Sequence, residues 1–231
     1  MSIENNNPTP AQRRNGAWSE KGPTYWKYEP GKRDKLPSKF ERFYQANRFK
    51  FINVLDVGCG TGRYLIPMLQ DGLHVVGIEP SEGMREGARE NLKAAGLERQ
   101  AQIVEGESVH LTLTDASIDL VFSKGAIHHN TWVNIQQSFA EIQRVLRKNG
   151  FFIFQGRSVK DPALAHSERI QDFGATAMEK SGWKAGVIQH YFTEAELKQL
   201  AKDNSFEVVV GPEEILKPNG SARWWVVYKK I

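Results

Sequence analysis

Residues 54 to 62 read Val54-Leu55-Asp56-Val57-Gly58-Cys59-Gly60-Thr61-Gly62, an apolar run interrupted by one acid and closed by three alternating glycines. A buried strand ending in such a loop can bring its backbone close to a ligand, because glycine has no Cβ in the way. Glu79, 21 residues after Gly58, closes a second apolar run, His74-Val75-Val76-Gly77-Ile78. Strand, glycine loop, helix, strand and acid is the layout of a nucleotide-binding βαβ half, with the acid placed to accept hydrogen bonds from ribose hydroxyls. Asp56 narrows the ligand further. A carboxylate beside the loop is unhelpful to a phosphate and suits a cationic or amine-bearing group. The G-x-G-x-G spacing also differs from the G-x-G-x-x-G of dinucleotide folds, which counts against a nicotinamide oxidoreductase.

A second group of reactive side chains follows the apolar run Ile118 to Ser123, in Ser123-Lys124-Gly125-Ala126-Ile127-His128-His129. Ligands of open α/β sheets bind beyond the carboxyl ends of the strands, so His129 and His128 are candidates for a base near neutral pH acting on an oxygen or nitrogen nucleophile. Arg157, just after the run Phe151 to Gln155, is a candidate to hold a substrate carboxylate or phosphate. His190 and Tyr191 precede a helix start and are expected to face the same pocket. No metal spacing is evident, since the chain has one cysteine and adjacent histidines diverge. That cysteine, Cys59, reads as a small packed residue of the glycine loop.

The elements that must position these groups alternate regularly. Strands are expected at Phe51 to Asp56, Leu73 to Glu79, Ala101 to Glu105, Ile118 to Ser123 and Phe151 to Gln155. Helices are expected at Gly62 to Gln70, Ser81 to Ala95 and Trp132 to Leu146. A capping box opens another helix at Thr193-Glu194-Ala195-Glu196. Phe206 to Val210 and Trp224 to Tyr228 finish as strands, and the alternation in the latter sends Trp224 and Trp225 to opposite faces, one of them to the core and the other to an edge or interface. Five β/α units with two late strands favour an open, mostly parallel sheet with helices on both faces.

The run from Asp56 to Gly62 resembles motif I of the class I S-adenosylmethionine (SAM)-dependent methyltransferases, and the likeness extends over roughly residues 40 to 210. Glu105-Gly106-Glu107-Ser108 is similar to the segment in which an acid and the next amide recognise adenine, with Glu107 where Asp is usual. Thr114 to Val121, Glu141 to Gly150 and His190 to Leu197 resemble three further stretches of that family, in the family's order. The resemblance implies a Rossmann-like α/β fold with a mostly parallel seven-stranded sheet, the last strand inserted antiparallel between the fifth and sixth. It implies SAM as cofactor, bound by Asp56, Gly58, Gly60, Gly62, Glu79, Glu107, Ser108 and Ser123. Members that assist a base with an acid at the end of strand 5 have Asp there. This chain has Gly156-Arg157, which puts a His–Asp pair in doubt.

Of 231 residues, 40% are hydrophobic, enough for one sizeable α/β domain. No apolar stretch approaches the ~20 residues of a membrane span. The polar start, Met1 to Pro8, is no secretory signal, and with the single cysteine this predicts a cytoplasmic protein. Net charge is +4, but residues 1 to 50 carry 11 Lys/Arg against 5 Asp/Glu. Residues 1–37 are expected as a flexible basic and aromatic segment, too rich in Pro and Gly for a long helix. Its Trp18, Tyr25, Trp26 and Tyr28 fit a lid, with Tyr25 and Trp26 contacting substrate. Residues 38–231 form the catalytic domain, with a cap over the strand ends at about 157–190. The expected activity is methyl transfer to a small-molecule oxygen or nitrogen. The alternatives are methylation of a tRNA or other RNA nucleoside, which the basic arm permits, and SAM binding without catalysis. The oligomeric state stays open.

Overall fold

The computed structural model of the chain describes residues 8–29 and 38–231. Its centre is a parallel sheet of β1 (Asn53–Val57), β2 (His74–Ile78), β3 (Ala101–Val104), β4 (Ile118–Lys124) and β5 (Leu146–Ser158), ordered β3-β2-β1-β4-β5. β1 therefore lies between β2 and β4, with Leu55 paired to Val76 on one side and to Val121 on the other. The order reverses at β1, and in open α/β sheets a ligand crevice forms at that switch point.

Beyond β5 the sheet turns antiparallel. β10 (Ala222–Lys230) inserts between β5 and β9 (Phe206–Leu216), antiparallel to both. The expected insertion of the last strand is present, but the sheet has ten strands rather than seven. The extra three come from residues 157–190. β8 (Ile188–Phe192) pairs with Arg157 and Ser158 at the tip of β5, and β7 (Ala175–Glu179) and β6 (Ser167–Arg169) follow antiparallel. This segment has no long alternating run, so its short strands were not legible as strands.

Both faces are covered. α5 (Trp132–Val145) and α6 (Glu194–Asp203) bury Ile135, Phe139, Leu197 and Leu200 against Leu55, Val121, Phe152 and Val226. On the other face α2 (Ser38–Asn47), α3 (Leu65–Gln70) and α4 (Glu82–Ala94) cover Val54, Val75, Phe122 and Ile153. Trp224 and Trp225 do point to opposite faces, yet both are buried in the core, because β10 is an interior strand flanked by β5 and β9. No helix among the described residues is long and apolar enough to cross a membrane.

One expectation fails outright. The segment before residue 38 carries a 16-residue helix, α1 (Pro10–Tyr25), despite Gly16 and Pro23. Thr9 caps it with a full capping box to Gln12, and Pro10 occupies the first turn, where no N–H is required. What holds α1 is tertiary. Its backbone lies so close to α4 that a Cβ on Gly83 would meet the Ser19 carbonyl oxygen at 2.2 Å. Ser19 Oγ is 3.0 Å from Ser81 Oγ, and Asn91 of α4 bonds the chain that leaves α1, accepting from Tyr28 N and donating to Trp26 O. Residues 1–7 and 30–37 of the expected segment lie outside the described residues.

Gly83→Val places side-chain atoms where backbone cannot yield, so α1 should leave α4. We expect a loss of about 1–3 kcal/mol in chemical unfolding, as for other overpacked contacts. Amide exchange should quicken across residues 10–25 and stay slow in β1, β4 and β5. Unchanged exchange in α1 would rule out Gly83 as its docking point.

Candidate active site

The carboxyl ends of β1 to β4 open into a cavity of about 370 Å³. β1 delivers Asp56 and the glycine loop, β2 delivers Glu79, the turn after β3 delivers Gly106 to Ser108, and β4 delivers Lys124 and the loop to Asn130. α1 roofs the opening with Arg14, Asn15, Trp18 and Tyr25. The loop geometry explains its glycines. Gly58 has φ +72°, and a Cβ there would strike the Cβ of Ala126 at 2.2 Å.

The two carboxylates are buried, and the charge of Glu79 acts on Asp56. Burial first, and then the Glu79 charge, pushes Asp56 up to about 8. Asp56 Oδ2 has no hydrogen-bond partner among the described residues. Glu79 is also raised, chiefly by burial, but its carboxylate accepts from Gly60 N at 3.1 Å and Ser81 N at 3.0 Å. Glu107 is gripped from the roof: Arg14 Nη2 donates to both of its oxygens at 2.5 Å, while Arg14 Nη1 bonds Asn130 Oδ1 and the His129 carbonyl. Arg14 and Asn15, which also reaches Glu107, were missed in the sequence because nothing local sets them apart from a solvated basic tail.

The histidine pair divides. His129 lines the cavity, 5.6 Å ring to ring from Trp18, whereas His128 lies behind it with ring centroids 4.2 Å apart. Burial first holds His129 well below the ordinary imidazole range, reinforced by Lys184, Arg157, Arg14 and Arg223. His128 is lowered in the same way, by burial, His129 and the same cationic side. Both rings are therefore neutral at pH 7, and the surroundings resist the protonation a base must undergo.

Several expected site residues lie elsewhere. Ser123 is fully buried and its Oγ donates to Val57 O, tying β4 to β1, so its side chain faces no ligand. Ser108 does line the cavity, but its Oγ is 2.8 Å from Ser138 Oγ, which leaves the backbone as its contact. Arg157, His190 and Tyr191 are not among the cavity walls. Arg157 pairs with Asp161 at 3.2 Å, and Asp161 also binds Arg223. His190 is fully buried between Trp132 and Phe192, its Nδ1 2.8 Å from Thr176 Oγ1, and its amide donates to the His128 carbonyl. Tyr191 is likewise buried, under the Arg157 guanidinium. The reason is topological: β8 pairs alongside the last residues of β5, Arg157 with Tyr191 and Ser158 with Phe192, where a pocket was expected.

The family model for a methyltransferase domain matches residues 55–154, the span from the glycine strand to β5. An uncharacterized methyltransferase of Geobacillus sp. (strain WCH70) is 32% identical over 155 residues, 67% of this chain and 70% of that protein. The chain belongs to the class I SAM-dependent methyltransferases. Other curated relatives of this methyltransferase are matched over 39% to 71% of their own length. Two solved structures share its fold. The 1,6-didemethyltoxoflavin-N1-methyltransferase of Burkholderia thailandensis, with 1,6-didemethyltoxoflavin and S-adenosylhomocysteine bound, superposes with TM-score 0.68 at 20% identity, covering 99% of this chain and 93% of that one. The magnesium protoporphyrin IX methyltransferase of Synechocystis PCC 6803, with SAM bound, gives 0.70 at 14%, covering 99% and 100%.

SAM is the methyltransferase's cofactor, and the cavity fits it. The orphaned Asp56 Oδ2 lacks the cation that an α-ammonium would supply. Because an ammonium favours the ionised carboxylate, binding must release a proton wherever Asp56 is otherwise neutral, that is, below about pH 8. SAM affinity should then rise from pH 6 to 7.5, by at most about tenfold per unit. Calorimetry in buffers of different ionisation enthalpy would show the proton release. Asp56→Asn should weaken binding and flatten the profile. A flat profile in the unaltered protein would exclude this role for Asp56.

Proposed function

We propose that this methyltransferase moves the methyl group of SAM to an oxygen or nitrogen of a small-molecule acceptor. The observation that carries the reading is the roof. Trp18, Tyr25 and Trp26 of the N-terminal segment line a cavity whose size belongs to small-ligand sites. A small space with aromatic groups on its helical roof suits a compact ring system better than a structured RNA. The Burkholderia relative in fold, an N-methyltransferase named for a small heterocycle, is consistent with that class.

Bound SAM supplies a methyl already activated on sulfonium, so the protein's task is positioning and exclusion of water. In this reading Asp56 takes the ammonium, Glu79 the ribose hydroxyls, and Glu107 with the Ser108 amide the adenine edge. Gly58, Gly60 and Gly62 let the backbone approach. His129 stays neutral and accepts a hydrogen bond from the acceptor, while His128 supports it from behind. Residues 1–37 act as a lid, with Tyr25 and Trp26 on the substrate. Arg157, His190 and Tyr191 then influence the acceptor through the His128–His129 loop and its charge rather than by contact.

Transfer of labelled methyl from SAM into a cell extract, separated into low-mass, RNA and protein fractions, tests the acceptor class. Label should enter a low-mass product. Label in RNA, with steeply salt-dependent binding, would replace this reading with the nucleoside one. SAM binding with no labelled fraction would favour a non-catalytic binder. Deleting residues 1–37 should cut transfer more than about a hundredfold, since lid closure excludes water and orients the acceptor. Full activity of that truncation would sink the lid.

A further inference from the structure

Lys124 is a cavity residue to which the reading above gives no work. Alternation along β4 puts Leu120, Phe122 and Lys124 on one face of the sheet. The first two are buried in the core, and Lys124, one step further, reaches the cavity. Its amine is clamped there. Nζ donates to Tyr64 Oη at 2.5 Å and stands 4.6 Å from the centre of the same ring, which packs edge-on against Phe122. Tyr64, Asp56 and His129 line the same cavity, so the amine shares one space with the cofactor carboxylate and the acceptor-side histidine.

The charged groups around it come from several elements. Asp56 lies on β1, Arg63 on the loop before α3, Arg223 on β10, and Lys217 on the turn between β9 and β10. Burial first, then Arg63 and Arg223, pushes Lys124 down to about 8, with Asp56 opposing in part. Roughly a tenth of such an amine is free base at pH 7, which places it near the optimum for proton transfer. His129, by contrast, is surrounded by cations that penalise an imidazolium.

Resting on the reading that the acceptor is a small oxygen or nitrogen nucleophile, we propose that Lys124, held by Tyr64, is the catalytic base of the transfer. The acceptor's O–H or N–H proton passes to the neutral Nζ, and the freed lone pair forms the new bond to the methyl carbon. The carbon–sulfur bond breaks with its electron pair kept on sulfur, so the sulfonium becomes the neutral thioether of S-adenosylhomocysteine. Lys124 then returns its proton to water.

The test uses the full chain, with the low-mass fraction of the extract as acceptor pool. Lys124→Met should lower the transfer rate at least about a hundredfold, with SAM affinity by calorimetry changed less than threefold. The rate of the unaltered enzyme should climb with pH and level off near 8, and that limb should vanish in Lys124→Met. Lys124→Arg, which keeps the charge but cannot give up its proton, should be as slow as the Met variant. His129→Asn should raise KM and keep the limb. A second readout needs no turnover: trace acetylation of the protein across pH 6 to 11, read by peptide mass spectrometry, should give Lys124 a midpoint near 8 against the ordinary ~10.4. A midpoint above 10, an active Lys124→Met with the limb intact, or rescue by Arg would each overturn the assignment, the last in favour of a charge-only role. An unaltered enzyme that binds SAM but labels nothing of low mass would overturn the small-molecule reading itself, and the base with it.

Discussion

Two carboxylates share a desolvated cavity at the centre of this molecule, and most of its local chemistry can be derived from that strain. Asp56 and Glu79 sit at the ends of neighbouring central strands, both nearly fully buried. Burial raises both, and the like charge of Glu79 makes Asp56 harder still to ionise. Glu79 is compensated from within by the amides of Gly60 and Ser81. Asp56 is not: one of its oxygens has no partner among the described residues. A pocket of this polarity repels phosphate and selects a ligand carrying an amine and hydroxyls. The glycines serve the same end, since a Cβ at Gly58 would collide with Ala126.

A set of cations balances those acids, and their placement decides which groups can handle protons. Arg14 neutralises Glu107 from the roof, and Arg85 donates to the Glu79 and Pro80 carbonyls. On the side of the His128–His129 loop, Lys184, Arg157 and Arg223 outnumber the acids Glu179 and Asp161, the latter of which holds two of them. Lys184 is itself pushed down to about 8, by burial first and then Arg157. Burial first, and excess positive charge after it, keeps the imidazoles neutral and brings the lysines, still mostly charged at pH 7, down to about 8. The same field that disarms a histidine as a proton acceptor arms a lysine, because the neutral form of each is favoured but their ordinary values start four units apart.

The sheet and the cofactor end were legible in the sequence because buried parallel strands leave continuous apolar runs, and an acid inside such a run is costly enough to signify a ligand. Asp56, Glu79 and Glu107 all emerged on the cavity wall. α1 was not legible. Gly16 and Pro23 argue against a helix, and the decisive feature, the missing Cβ of Gly83, is 67 residues from Gly16 in the chain. Arg157, His190 and Tyr191 were placed by analogy with an open strand end, which β8 instead occupies. Lys124 carries no sequence signal as strong as the two histidines that follow it in the loop after β4. Only the face of β4 it shares with Phe122, and the Tyr64 ring beneath it, distinguish it from a surface lysine.

α1 ties the two ends of the site together. Arg14 and Trp18 stand one helical turn apart on the same face, where side chains four residues apart align. The first holds Glu107 on the turn after β3, and the second meets His129, on the loop after β4, and Trp183. A rigid helix that moves off one must move off the other. Whatever stabilises α1 through Glu107 therefore also stabilises the aromatic contacts of Trp18, and by linkage the effect runs equally in reverse. The coupling needs no relay through the sheet. It follows from one short helix, anchored at Gly83 and Asn91, spanning a cavity narrow enough for both ends to be touched at once.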